Sequence, residues 1–169
     1  MYEYRKLTSE ERRKLIEERK SRGLPPRSPP HPRQDAEYYL LTAACYEHVT
    51  HLKDAARRQQ LLDLLFKHSI LRGVELRAWV VLPNHYHLLA YVPDFEVLGE
   101  MFRRVHGPTS RDWNREDDAL GRKVWYRFTV RAMRSQPHYY TTLNYLHYSL
   151  VWHGYVASPY DWEASSLAW

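Results

Sequence analysis

Two histidines, His85 and His87, lie two residues apart in the run Trp79-Val80-Val81-Leu82-Pro83-Asn84-His85-Tyr86-His87-Leu88-Leu89. In an extended strand, residues i and i+2 project to the same face, so the two imidazoles stand side by side and Tyr86 turns the other way. The flanking residues are those of a buried strand, and an imidazole costs free energy to bury without a partner. The commonest task for two neighbouring imidazoles on one sheet face is to hold a metal ion. A pair hydrogen-bonded to backbone or to carboxylates is the competing, structural use of the same spacing.

Such a pair needs a sheet to carry it, and hydrophobic periodicity supplies the elements. Residues 38–46 read as a first strand and 55–70 as a helix with Leu61, Leu62, Leu64, Leu65 and Phe66 on its buried side, ending near Gly73. Residues 74–82 and 85–92 form the next two strands, with Pro83-Asn84 as the bend between them. A second helix over 96–111 carries Val97, Leu98, Met101, Phe102 and Val105, and Gly107-Pro108 is expected to kink or interrupt it. A fourth strand covers 124–133 and a last core helix 137–152, stopping near Gly154. The order β-α-β-β-α-β-α predicts an α+β, ferredoxin-like split βαβ sandwich with one added C-terminal helix.

The first 35 residues read differently. Thr8 or Ser9 caps a peripheral basic helix with Glu10 and Glu11 in its first turn, and Gly23 can end it. Pro25, Pro26, Pro29, Pro30 and Pro32 then make an extended linker in which Arg27, His31 and Arg33 are basic. The expected organisation is 1–35 as helix and linker and 36–169 as the folded domain.

At 169 residues and 44% hydrophobic content, the chain suits one globular core. A net charge of +5 and a pI near 9.3 favour a polyanionic partner. The 14 tyrosines and 6 tryptophans, set among arginines, suit stacking on unpaired bases, although most must fill the core. The single cysteine, Cys45, excludes an intrachain disulfide and reads as a buried structural thiol. No apolar stretch is long enough for a membrane span, and residues 1–6 lack the apolar core of a signal peptide. The expected location is the cytoplasm.

Three ordered motifs resemble the REP-associated tyrosine transposases, a branch of the HUH single-tyrosine transposases. The first is Leu82-Pro83-Asn84-His85-Tyr86-His87. The second runs from Leu143-Asn144-Tyr145-Leu146-His147-Tyr148 through Ser149-Leu150-Val151-Trp152-His153-Gly154, where the family's pattern reads Tyr-Ile-His-x-Asn-Pro-Val-Lys-His-Gly. The third is Asp161-Trp162-Glu163-Ala164-Ser165-Ser166, close to Asp-Trp-x-x-Ser-Ser. The resemblance covers the chain from about Tyr38 onward.

The resemblance implies cleavage and rejoining of single-stranded DNA at hairpin-forming repeats through a 5′-phosphotyrosine. It makes Tyr145 the nucleophile, and His85 and His87 ligands of Mg²⁺ or Mn²⁺. A third ligand would come four residues after the tyrosine, at Ser149, which replaces the usual Asn. A phenol is a weak nucleophile while protonated, with an ordinary pKa of about 10, so a dication beside the phosphate matters. Tyr148 is the second choice for the nucleophile, and His147 reads as structural or DNA-contacting.

The implied partner is single-stranded or hairpin DNA, with the protein a monomer or homodimer and nucleoid-associated when bound. Arg103, Arg104, Arg111 and Arg115 on or after the second helix, and Arg122, Lys123, Arg127 and Arg131 around the fourth strand, are the candidate phosphate contacts. Alternation puts Arg127 and Arg131 on one strand face, while ion pairs with Glu116, Asp117 or Asp118 compete for such residues. Trp113, Trp125 and Tyr126 are stacking candidates, with Trp125 expected in the core. A catalytically weakened hairpin-binding protein and an RNA-binding ferredoxin-like domain are the alternatives.

Overall fold

The computed structural model describes residues 8–21 and 36–168. The chain divides into two compact units, Met1–His31 and Pro32–Trp169. In the first, helix α1 (Ser9–Ser21) starts with a reciprocal capping box. Thr8 Oγ1 accepts from the Glu11 N–H at 3.3 Å, and the Glu11 carboxylate accepts from the Thr8 N–H at 2.7 Å. Thr8, rather than Ser9, is therefore the cap. The expected stop at Gly23, the proline-rich linker with Arg27, His31 and Arg33, and the boundary at 35/36 lie outside the described residues.

The second unit is a four-stranded antiparallel sheet of β1 (Tyr38–Ala44), β2 (Glu75–Leu82), β3 (His85–Tyr91) and β4 (Thr129–Ala132), in the spatial order β2-β3-β1-β4. Helices α2 (Ala55–Ile70), α3 (Val97–Glu116) and α4 (Gln136–Trp152) complete the β-α-β-β-α-β-α order. The fold is α+β, as the periodicity predicts. Among the described residues no helix is long and apolar enough to cross a membrane.

Strand alternation divides the core in two. Leu41, Ala43, Tyr86, Leu88 and Ala90 face α2 and α3, where Leu61, Leu65, Met101, Phe102, Val105 and Trp113 meet them. Leu40, Val80, Leu82 and Leu89 face the opposite way and pack against Leu146 and Leu150 of α4. Asp54 starts α2 by accepting from the N–H groups of Ala56 and Arg57. Ser135 starts α4 by accepting from the His138 N–H.

Two elements differ from expectation by more than two residues. Helix α3 runs through Gly107-Pro108 to Glu116, past the expected end at 111. Proline removes one ladder donor, but Val105, Thr109 and Trp113 are all buried on the inner side, and that burial carries the helix on. Thr109 Oγ1 also donates to the Val105 carbonyl and accepts from Trp125 Nε1. The expected strand 124–133 is regular only over Thr129–Ala132. Its start still follows β1, since the Tyr46 N–H donates to Val124 O and the Tyr126 N–H to Ala44 O.

The Asp-Trp-x-x-Ser-Ser motif forms a strap along the outer edge of β2. The Val81 N–H donates to Ala164 O and the Ser166 N–H to Trp79 O, both at 2.9 Å. Trp162 Nε1 donates to Val81 O, and Arg58 lies over the Trp162 ring. An edge strand that would otherwise expose unpaired backbone is closed by the chain itself.

Candidate active site

His85 opens β3 directly after the two-residue turn Pro83-Asn84. The turn is held from outside: Asn84 O accepts from the Cys45 N–H, Pro83 O from the Leu52 N–H, and Asn84 Nδ2 donates to His48 O. Asn84 Oδ1 lies 2.6 Å from His85 Nδ1. An amide oxygen only accepts, so His85 carries its proton on Nδ1 and leaves the Nε2 lone pair free. Thr42 stands opposite His87 in the β1–β3 register, and its Oγ1 lies 2.7 Å from His87 Nδ1. With the hydroxyl accepting, His87 likewise keeps Nε2 for a ligand.

The two rings meet edge to face with centroids 5.0 Å apart. Burial pushes His85 down to about 4, with the neighbouring His153 and His48 adding to the effect. Burial also pushes His87 down to about 3, reinforced by His85 and His153. Both are neutral near pH 7, which is the form that binds a metal.

Helix α4 brings Tyr145 against His87. Its ring lies 5.8 Å from that of His87, and the residue is 42% exposed. The phenol is therefore next to His87 and open to an incoming strand. Ser149 behaves otherwise. It is buried, and its Oγ donates to Leu146 O of its own helix at 2.7 Å. A serine side chain is short enough to bond back to the preceding turn, and the expected third ligand is turned onto the helix backbone instead. His153, the C-cap of α4, contributes a ring 5.8 Å from that of His85. Among the described residues, no three His, Cys, Asp or Glu side chains are grouped as a metal cage.

His147 lies on another side of α4 and bonds through Nε2 to Ser166 Oγ at 2.9 Å, tying the helix to the C-terminal strap. Tyr148 is exposed on α4 and makes its ring contact with Trp152, not with the imidazoles.

The structure separates the basic candidates by face. Arg131 pairs with Leu40 and so shares the sheet face of His87; Arg127 is exposed just before the regular strand. Lys123 lies over the rings of Tyr46 and Tyr126, at the sheet end where His85 begins. Arg122 bonds to Asp117 and Asn114. Arg103, Arg104, Arg111 and Arg115 belong to α3, on the far side of the sheet, and are not brought to the site. Arg103 and Arg104 bond to Glu100, and Arg111 to Asp112. Trp113 and Trp125 are both buried, which removes them as stacking surfaces.

Sequence reasoning missed Thr42, Asn84 as an orienting group, and His153. Asn84 and His153 both stand inside the quoted motifs. Thr42 has no local signal, because only the strand register brings it to His87.

No protein-family model matches the chain. A REP-associated tyrosine transposase of Escherichia coli (strain K12) is 30% identical over 122 residues, covering 66% of this chain and 70% of its own length. The solved structure of a REP-associated tyrosine transposase bound to a REP hairpin matches with a TM-score of 0.67 and 22% identity, over 83% of each chain, and shares the fold. With that identity and that share of the relative covered, this chain belongs to the REP-associated tyrosine transposases.

Proposed function

We propose that the protein is a metal-dependent single-stranded DNA endonuclease and strand transferase that acts on hairpin-forming repeats through a 5′-phosphotyrosine. The observation that carries this reading is the exposed Tyr145 ring against His87, on the sheet face where two neutral imidazoles stand side by side with Nδ1 engaged by Asn84 and Thr42. The donor set fits a divalent ion: Asn84 engages Nδ1 of His85 and Thr42 engages Nδ1 of His87, which orients both rings as a ligand pair would need. His85 and His87 would hold Mg²⁺ or Mn²⁺ with water completing the shell. When bound, the ion withdraws charge from the scissile phosphate.

The residues do the rest. Tyr145 Oη forms a bond to phosphorus, and the bond to the 3′ oxygen breaks. The phenolic proton goes to solvent, and the released 3′ oxygen takes a proton to become a hydroxyl. The 5′ phosphate stays on Tyr145 until a 3′ hydroxyl attacks it and reverses the exchange. No external energy source is needed, since each phosphodiester is traded for another. The hairpin as substrate is supported by the solved relative, whose structure is of a complex with a REP hairpin.

Incubating the chain with a hairpin bearing single-stranded flanks and Mn²⁺ should give a covalent adduct on denaturing electrophoresis. The adduct is expected to disappear in Tyr145→Phe; normal cleavage by that variant would refute the assignment.

One observation favours a second reading, a hairpin-binding protein with weakened catalysis. Ser149 Oγ faces its own helix and leaves the pair of imidazoles without the amide that the family's pattern supplies. Calorimetry separates the two: Mn²⁺ binding that is lost in His85→Ala and His87→Ala supports the enzyme, and no binding by the native chain supports the alternative.

A further inference from the structure

Helix α4 buries Leu146 and Leu150 against the sheet, yet its outer side is also aromatic. Tyr145 is 42% exposed, Tyr148 47%, Trp152 64% and, just beyond the Gly154 turn, Tyr155 42%. The spacing of three and four residues places Tyr145, Tyr148 and Trp152 along one ridge of the helix, and Tyr155 follows past its end. Their rings run in sequence: Tyr145 lies 5.6 Å from Trp152, and Tyr148 lies 6.4 Å from it. Contiguous exposed rings of this kind mark an interaction surface. The family's pattern reads Lys at the position of Trp152, so this chain has a flat ring where a point charge is usual.

What lies on this ridge follows from its first member. The phosphate under attack must sit at the Tyr145 hydroxyl, and Tyr148 and Trp152 are the exposed rings next to it on the helix. None of the cation–ring contacts among the described residues involves Tyr148 or Trp152. The surface therefore suits base faces more than phosphates. Paired bases hide those faces in the stack, whereas unpaired bases offer them to aromatic side chains. We propose that Tyr148 and Trp152 form a stacking platform for one or two unpaired bases beside the phosphate that Tyr145 attacks. The platform rests on the proposed function for its direction, and it adds a means of selecting single-stranded flanks over duplex.

The test measures binding by the full chain in EDTA, so that no strand is cut. The probes are a blunt hairpin, the same hairpin with a single-stranded tail, and one with an abasic tail. The tail should tighten binding on the order of tenfold, and the abasic tail should give no gain. Trp152→Ala and Tyr148→Ala should lose the gain at low and high salt alike, and Trp152→Phe, which keeps a ring face, should retain it. A 2-aminopurine in the tail should be quenched by the native chain and not by Trp152→Ala. Trp152 lies outside the core, and matching thermal melts establish that the variants fold. A tail gain that survives in Trp152→Ala, or an abasic tail as effective as the normal one, overturns the platform. So does sedimentation showing a native dimer that Trp152→Ala converts to monomer, because the ridge is then a contact between copies. Binding and cleavage fail separately: an adduct that persists in Tyr145→Phe, with the tail gain still dependent on Trp152, rejects the nucleophile and keeps the platform.

Discussion

Each imidazole of the site is oriented by a neighbour, and these neighbours make the sharpest test of the site. Thr42→Val keeps the shape of the side chain and removes the atom that bonds to His87 Nδ1. Loss of such an orienting bond typically lowers metal affinity about 10- to 100-fold. Calorimetric titration of Mn²⁺ into Thr42→Val should show that loss, and the buried imidazole left without its partner should lower the thermal midpoint as well. The buried histidines also set the pH response of stability. His85 is held at about 4 and His87 at about 3, as is His106 of α3, whose Nε2 lies 2.7 Å from the Tyr86 hydroxyl; in each case burial comes first, against about 6.5 when unfolded. The unfolded chain thus binds protons that the folded chain refuses. The contribution is complete above about pH 6.5 and fades as pH falls toward 4 and then 3, at up to about 1.4 kcal/mol per pH unit for each group. Urea midpoints measured from pH 7 to 4 should fall accordingly, and His106→Gln should flatten the slope. Burial likewise pushes the Cys45 thiol up to about 12, as its apolar surroundings in the sequence imply, so the native protein should resist iodoacetamide. The pairing of His85 and His87 was legible because a strand has period two. Thr42 was not, because cross-strand register depends on which strands meet.

Among the elements, α2 was readable to its ends: a dense leucine stripe stops short of Gly73, and its bounds match expectation at both termini, while the Asp54 cap appears only in the structure. Helix α3 was not, because proline chemistry and side-chain burial pull in opposite directions and only the packed structure shows that Trp113 wins. Strand β4 was overextended since a run of β-formers can follow a neighbour without regular pairing. Helix α4 depends on its ends. Ser135→Ala should cost about 1 kcal/mol by removing the acceptor for the His138 N–H, measurable by urea denaturation. Its other support is the C-terminal strap, through His147 and Ser166. The third motif had no mechanical meaning in the sequence; in the structure it seals the edge of β2 and steadies the helix that carries Tyr145.

For the molecule as a whole, the sheet acts as a partition. Its α2–α3 side holds most of the buried apolar residues, including Trp113, Tyr86 and Phe102, while the α4 side holds the imidazoles, Tyr145 and Arg131. Charge on the two sides should therefore weigh differently in DNA binding. Arg131→Glu is expected to weaken hairpin binding and to reduce the slope of log K against log salt by about 1, whereas Arg103→Glu should change neither. Equal effects from both variants would mean that the strand wraps the far layer as well. The unequal cores have a further consequence. Helix α4 is seated by few buried apolar side chains, chiefly Leu146 and Leu150, and a lightly anchored segment opens at lower free energy than the body it rests on. Amide exchange in α4 should outpace that in α2, β1 and β3. Tyr145 thus stands on the element expected to open and reseat most readily while the rest of the fold stays intact.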